Sequence, residues 1–348
     1  MAQLEMTDKR QLMVFGDNLL DDLDLTARKA VCYTMPEPWE MAPEPFRRQI
    51  DFKHDVVNTD EATLNQVAES VPESVGVCVG LGGGSSLDVA KYVAWRRSLP
   101  VILIPSILSV DACVTETAAV RREGRVRYVG KIVPENIIID FAFLKKAPKR
   151  FNRAGAADIL SIFTALFDWQ LAHERTGESY DPNIAQEARA LLSSLDEQAE
   201  EVGDVSSEGL RFLAEAFAIE DAFCTRFGAS RPEEGSEHYF AYNLEFITKR
   251  SFLHGELVGL GIVVMASLQG RDINWVIDLL GRLRIDFRLS HLGMRPEELK
   301  ECLRTLADYC QHEGLPYSIV QELASSGQDL SRLPIVTNER EGILGYVA

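Results

Sequence analysis

The chain has 348 residues, of which 46% are hydrophobic and 26% charged, and a formal net charge of −17. Such a chain buries a sizeable interior, and its length favours two domains over one. The acidic balance argues against nucleic acid or an anionic membrane surface as a partner, and no apolar run is long enough to span a bilayer.

The N-terminal stretch MAQLEMTDKRQLMVFGDN has no apolar run of signal-peptide length. The six cysteines (Cys32, Cys78, Cys113, Cys224, Cys302 and Cys310) are scattered without a CxxC pair, which fits reduced thiols in a cytoplasmic protein. In chain order, QLMVF, KAVCYT, VGVCVG, PVILIP and NIIID are predicted strands separated by helical or loop segments. Strands alternating with helices imply a mainly parallel sheet. After APKRFNRAG the pattern becomes helical, over 152–175, 183–201, 207–227, 235–248, 252–269, 272–284 and 296–312. The expected fold class is therefore α/β: an N-terminal parallel-sheet domain over 1–148, followed by an all-helical domain over 149–348.

Residues 80–91 read GLGGGSSLDVAK, at the junction of a buried strand and a helix. Glycines there let the backbone approach a ligand, and ligands of parallel sheets bind beyond the carboxyl ends of the strands. Ser85 with Asp88 three residues on also fits a capping box, so a phosphate cradle and a plain cap both suit the pattern. The spacing is neither GxGxxG nor GxxxxGK[ST]. The next strand ends in IPSILSVDACVTET, where Ser106, Ser109 and Thr115 surround the single acid Asp111. An ordinary loop with a solvated acid is the alternative there.

The helix AGAADILSIFTALFDWQLA carries two charges, Asp158 and Asp168, and Asp158 lies beside an apolar face where an unpaired carboxylate is costly. It caps the helix or faces a cation. His238, in GSEHYFAYNLE, and His254, opening SFLHGELVGLGIVVMASLQG, lie in the most apolar part of the helical region. One aspartate and two histidines form a plausible three-ligand metal site, although core histidines that merely hydrogen-bond are commoner. His54, His173, His291 and His312 lie in polar context and read as surface residues.

In order, GGGSSLDVAK, IPSILSVDA, AGAADILS, DWQLA, GSEH and HGELVG resemble the glycerol-1-phosphate dehydrogenase family, part of the superfamily of iron-containing alcohol dehydrogenases, glycerol dehydrogenases and dehydroquinate synthases. The resemblance runs from about residue 75 to residue 315 and implies a dehydroquinate synthase-like fold. By it, Gly82, Gly83, Gly84, Ser85, Ser86, Leu87 and Asp88 match the cradle for a dinucleotide pyrophosphate, and the turn becomes a cofactor site. Ser106, Ser109 and Thr115 match the nicotinamide ribose side, and Asp111 an acid contacting substrate hydroxyls. Asp158, His238 and His254 match the metal ligands. The implied cofactors are NAD or NADP and one divalent metal, Zn, Fe or Ni. The implied activity interconverts a small alcohol and ketone, most like glycerol-1-phosphate and dihydroxyacetone phosphate. The partners expected are a small-molecule substrate and further copies of the chain, with no nucleic acid and no membrane.

Three departures accompany the resemblance. Tyr242 stands where the family has a second histidine four residues after the first, and as a catalytic candidate it offers a hydrogen bond but a poor proton carrier, its pKa being near ~10. Ala112 replaces a glycine after Asp111, and MPEPWEMAPEPFRRQ, over 35–49, is proline-rich and reads as a shortened helix on the adenosine side. A dehydroquinate synthase-type cyclase or lyase that uses NAD internally is the alternative activity, and a metabolite-binding relic without turnover a further one.

Overall fold

A computed structural model describes residues 8–123 and 125–333. Residues 1–7, where the reading for a targeting signal begins, and 334–348, the end of the expected helical domain, lie outside the described residues. The chain divides into two compact units, one running up to Asn152 together with Leu210–Asp221, the other Arg153–Gly209 together with the chain from Ala222 on.

The first unit is built on a six-stranded sheet. Its strands are β1 (Met13–Gly16), β2 (Ala30–Thr34), β3 (Phe52–Asp55), β4 (Val77–Gly82), β5 (Val101–Pro105) and, after a hairpin of β6 (Ala118–Arg122) and β7 (Arg125–Val129), β8 (Asn136–Asp140). The order is β1-β8-β5-β4-β2-β3 and every pairing within it is parallel. β2, β4 and β5 are buried along their whole length. They are apolar throughout because a central parallel strand is covered on both faces. All five expected strands are present. β3, with the polar sequence FKHD, and the arginine-rich hairpin were not expected: β3 is an edge strand that exposes alternate residues, and β7 is exposed over most of its length.

The proline-rich stretch folds as two short helices, Pro36–Met41 and Glu44–Arg47, each with proline in its first turn, where the missing N–H costs nothing. Ala42 and Phe46 from it pack into the core formed by β2 and β4. Residues Leu210–Asp221 join the first unit through specific contacts: Arg211 stacks 4.1 Å from the Phe15 ring centroid, and Asp221 pairs with the buried Lys9.

The second unit is helical throughout its described residues. Its helices include Ala156–Thr176, Pro182–Glu197, Ser236–Thr248, His254–Leu268, Ile273–Arg282 and Pro296–Glu313. The helix expected over 183–201 breaks at Gln198, after which a short one runs Ala199–Asp204. Among the described residues no helix is long and apolar enough to cross a membrane.

Candidate functional site

β4 ends at Gly82, and the helix Gly84–Arg97 begins two residues on with Gly83 as its N-cap and no capping side chain. The capping box expected of Ser85 and Asp88 is absent. Ser85 already lies in the first helical turn, and Asp88 turns to Lys91, 3.0 Å away. Gly82 has a φ of 147°, a conformation that side chains rarely adopt, and a Cβ there would lie 2.6 Å from Ser86 Oγ. Ser86 Oγ is buried and has no hydrogen-bond partner among the described residues. An uncapped helix start attracts anions, and an orphaned buried hydroxyl calls for a partner, so the turn fits a phosphate group. Leu87 takes another part: its side chain is buried and its amide donates to the Gly83 carbonyl at 3.2 Å, so it packs the turn and offers no polar group.

The loop after β5 meets the same turn. The Ser106 amide donates to the Gly82 carbonyl at 2.9 Å, and Ser106 and Ser109 are both buried. Thr115 Oγ1 accepts from Lys91 Nζ at 2.9 Å. Asp111 opens a 3-10 turn, Asp111–Cys113. Burial pushes its carboxyl up to about 6, with Lys91 opposing the rise and Asp221 and Asp88 adding to it.

In the second unit three elements converge. Asp158 lies in the first turn of the Ala156–Thr176 helix, His254 opens its own helix, and His238 lies in the first turn of the Ser236–Thr248 helix. One donor atom from each lies within 4.8 Å of the other two, and Asp158 Oδ1 is 3.6 Å from His254 Nε2. Bonds of about 2.0–2.1 Å in a tetrahedral site put donors about 3.3 Å apart, so a cation would draw this set together modestly. A carboxylate and two imidazoles are a donor set that zinc, iron and nickel accept.

The packing that presents these residues is close. A Cβ at Gly261 would lie 2.6 Å from the Glu237 carbonyl oxygen, so glycine is what lets the His254 helix touch the backbone of the His238 helix. Asp168 ties down the start of the latter. Its Oδ2 accepts from the Ser236 amide at 2.8 Å and the Ser236 hydroxyl at 2.5 Å, and its Oδ1 from the Ile319 amide at 2.8 Å. Burial raises the Asp168 carboxyl to about 6.

Sequence reasoning missed Glu237. Fully buried, it receives His238 Nδ1 at 2.9 Å and the Gly235 amide at 2.6 Å on Oε1, and Thr164 Oγ1 at 2.7 Å on Oε2. That bond leaves His238 Nε2 for a metal, the outer carboxylate fixing ring and tautomer. Burial alone would depress the His238 pKa, but the Glu237 hydrogen bond and the charges of Glu234, Glu237 and Asp158 outweigh it and raise it to about 9. His254 is driven the other way, to about 3, by burial and by the neighbouring His238. His254 is thereby held as the neutral ring, with a third of its side chain exposed. Tyr242, one turn beyond His238, donates to Glu234 Oε1 at 2.9 Å, with its ring centroid 6.0 Å from that of His238. Of the histidines read as surface residues, His173, His291 and His312 are exposed, while His54 is half-buried with its ring centroid 5.6 Å from that of Tyr33.

Comparison with known proteins adds to this geometry. The iron-containing alcohol dehydrogenase family model matches residues 43–148. The glycerol-1-phosphate dehydrogenase, NAD(P)+, of Hyperthermus butylicus is 32% identical over 317 residues, 89% of this chain and 88% of that protein. The enzyme of the same name from Aeropyrum pernix is 34% identical over 246 residues, 70% of each chain. Among solved structures, glycerol dehydrogenase from Schizosaccharomyces pombe superposes with a TM-score of 0.68 at 18% identity, covering 92% of this chain and 89% of that one. Sulfoacetaldehyde reductase from Bifidobacterium kashiwanohense, solved in complex with NAD+, gives 0.66 at 16% identity over 92% of this chain and 97% of that one. At such identities these two likenesses concern the fold.

Proposed function

The chain belongs to the glycerol-1-phosphate dehydrogenase family of iron-containing alcohol dehydrogenases, and from that premise we propose that it interconverts glycerol-1-phosphate, or a close polyol phosphate, with the matching ketone. It is a metal-dependent, NAD(P)-linked oxidoreductase. The observation that carries the reading is the convergence of Asp158, His238 and His254, with Glu237 fixing the tautomer of His238.

When bound, the divalent cation supplies Lewis-acid polarisation of a substrate oxygen and the nicotinamide accepts or delivers the hydride. In this reading Asp158, His238 and His254 hold the cation. His254, held as the neutral ring, has a nitrogen ready to coordinate, whereas His238 must release its proton first. The glycine turn from Gly82 to Ser86 binds the cofactor's diphosphate through first-turn amides and the Ser86 hydroxyl. Ser106, Ser109 and Thr115 orient the nicotinamide side, and Asp111 accepts a hydrogen bond from a substrate hydroxyl. Tyr242, oriented by Glu234, contributes a hydrogen bond beside the cation rather than a proton relay. Asp88 and Leu87 shape the turn from within. Six cysteines without a disulfide support a cytoplasmic site of action, and self-association is expected from the family resemblance.

The test is oxidation of NADH or NADPH with dihydroxyacetone phosphate after loading with Zn²⁺, Fe²⁺ or Ni²⁺. The reading expects turnover that a chelator abolishes and that Asp158→Asn, His238→Ala and His254→Ala each remove. A metal-loaded protein that binds the dinucleotide yet shows no net oxidation with any ketone would point to the cyclase instead.

A further inference from the structure

The helix that opens at the glycine turn carries a lysine that the proposed function leaves unused. Lys91 is fully buried. Its Nζ lies 3.0 Å from Asp88 Oδ1 and donates to Thr115 Oγ1 at 2.9 Å and to the Thr117 carbonyl at 2.6 Å, with the Thr115 carbonyl at 3.3 Å. An ammonium group has three protons, and these partners take all of them. A buried charge is tolerated only when it is paired and hydrogen-bonded, so the two threonines anchor the ammonium and Asp88 is its counter-charge.

Asp88 is an awkward neighbour for a polyanion. It is buried, and with Ser85 of the glycine turn it lines a cavity of about 160 Å³. A second acid, Asp111, feels Asp88 and Asp221 as like charges and Lys91 as the opposing one. Asp221 in turn pairs with Lys9, itself shared with Glu116, and feels Lys91 as a second opposing charge. Without Lys91, a diphosphate at the glycine turn would meet a carboxylate that keeps a backbone hydrogen bond from Ala119 but has lost its ammonium partner, in a low-dielectric setting where repulsion is screened weakly.

We propose that Lys91 is a positioning residue for dinucleotide binding, which holds the charge of Asp88 cancelled beneath the glycine turn so that the turn accepts a diphosphate. It acts through Asp88 and does not touch the cofactor. The inference rests on the dinucleotide reading of the turn, and the experiment separates the two.

NADH binding is measured by nicotinamide fluorescence on the metal-free, full-length protein, so no turnover is needed. Wild-type protein that fails to bind NADH removes the reading of the turn itself. Given wild-type binding, Lys91→Met is expected to bind NADH about tenfold or more weakly, the scale on which stranding one partner of a buried charge pair acts. Introduced into the Asp88→Asn background, where no buried carboxylate remains to be cancelled, Lys91→Met is expected to change NADH affinity by no more than about threefold. Circular dichroism and thermal melts establish that each variant is folded. If Lys91→Met does not fold, the double variant, which strands no buried acid, carries the comparison with Asp88→Asn. Wild-type affinity in folded Lys91→Met would overturn the proposal, as would a folded double variant binding about tenfold more weakly than Asp88→Asn.

Discussion

Glu237→Gln is the substitution that most sharply tests how the metal-binding residues are poised. The variant keeps its hydrogen bonds: the amide oxygen still accepts from His238 Nδ1 and the Gly235 amide, and the amide nitrogen can donate to Thr164 Oγ1, whose own proton then turns from position 237 to the Ser161 carbonyl, 3.1 Å away. What disappears is one buried negative charge beside His238. Two effects follow, with opposite signs. Loss of an outer carboxylate typically weakens metal binding by about 10–100-fold, or about 1.4–2.7 kcal/mol. Against that, His238 in the metal-free protein has its pKa raised to about 9, so at pH 7 an incoming cation must displace a proton at a cost of about 2.7 kcal/mol. Removing Glu237 lets that pKa fall towards its ordinary value and relieves most of the cost. Metal affinity of Glu237→Gln should therefore be close to wild type at pH 7 and about tenfold or more weaker at pH 9.5, where His238 is deprotonated in both. Competition with a chromophoric chelator across that range measures it. An affinity ratio that does not change with pH, or no loss at pH 9.5, would refute the charge argument.

In the metal-free protein His238 and His254 contribute opposite pH trends to stability. The raised His238 contributes stability that is complete below its unfolded pKa of about 6.5 and disappears as pH rises through about 9, worth about 3 kcal/mol. The depressed His254 acts on the acid side, where stability falls below pH about 6.5 because the unfolded chain takes up the proton that the folded one refuses. Bound metal requires both rings neutral, so melts with and without chelator should show the alkaline decline only in the metal-free protein. Ser86→Ala deletes a buried hydroxyl that has no partner among the described residues, so melting should stay within about 1 kcal/mol of wild type while NADH affinity falls about fivefold or more. A clear loss of stability with unchanged NADH affinity would contradict that role. Gly261→Ala forces a Cβ against the Glu237 carbonyl oxygen, and should cost about 1–3 kcal/mol in stability together with metal affinity; a variant with both unchanged would show that the two helices separate freely.

The sheet was legible because its central strands are buried on both faces and leave long β-branched runs, as in VGVCVG and PVILIP. FKHD and the arginine-rich hairpin have no such signature, since one lies at an edge and the other is largely exposed. The proline-rich stretch reads as a shortened helix, and it folds as two short helices that each take proline in the first turn. At the glycine turn, Ser85 and Asp88 have capping-box spacing, but the helix begins before Ser85, and a lysine three residues further on claims the acid. Lys91 closes the same stretch, and its buried ammonium finds its acceptors on a distant loop, at Thr115 and Thr117. Glu237 was missed for a similar reason. Adjacent helical residues do not normally face one another, yet in the first turn Glu237 reaches the ring of the very next residue. Asp158, His238 and His254 have no motif spacing; their residue types in an apolar setting made them a plausible ligand set, and the family resemblance matched them to the metal ligands. That they lie within one cation's reach depends on how three helices pack.

Hydride exchange between a nicotinamide and the carbon of a polyol phosphate leaves an isotopic trace that deuterium transfer can follow atom by atom. Metal-loaded protein is incubated with dihydroxyacetone phosphate and NADH or NADPH deuterated at C4, each face labelled separately, and the product is read by mass spectrometry and NMR. The account predicts one deuterium at C2 of glycerol-1-phosphate from one of the two labelled faces, and none when metal is withheld. Recovery of all the deuterium in the dinucleotide, with metal and cofactor both bound, would contradict it.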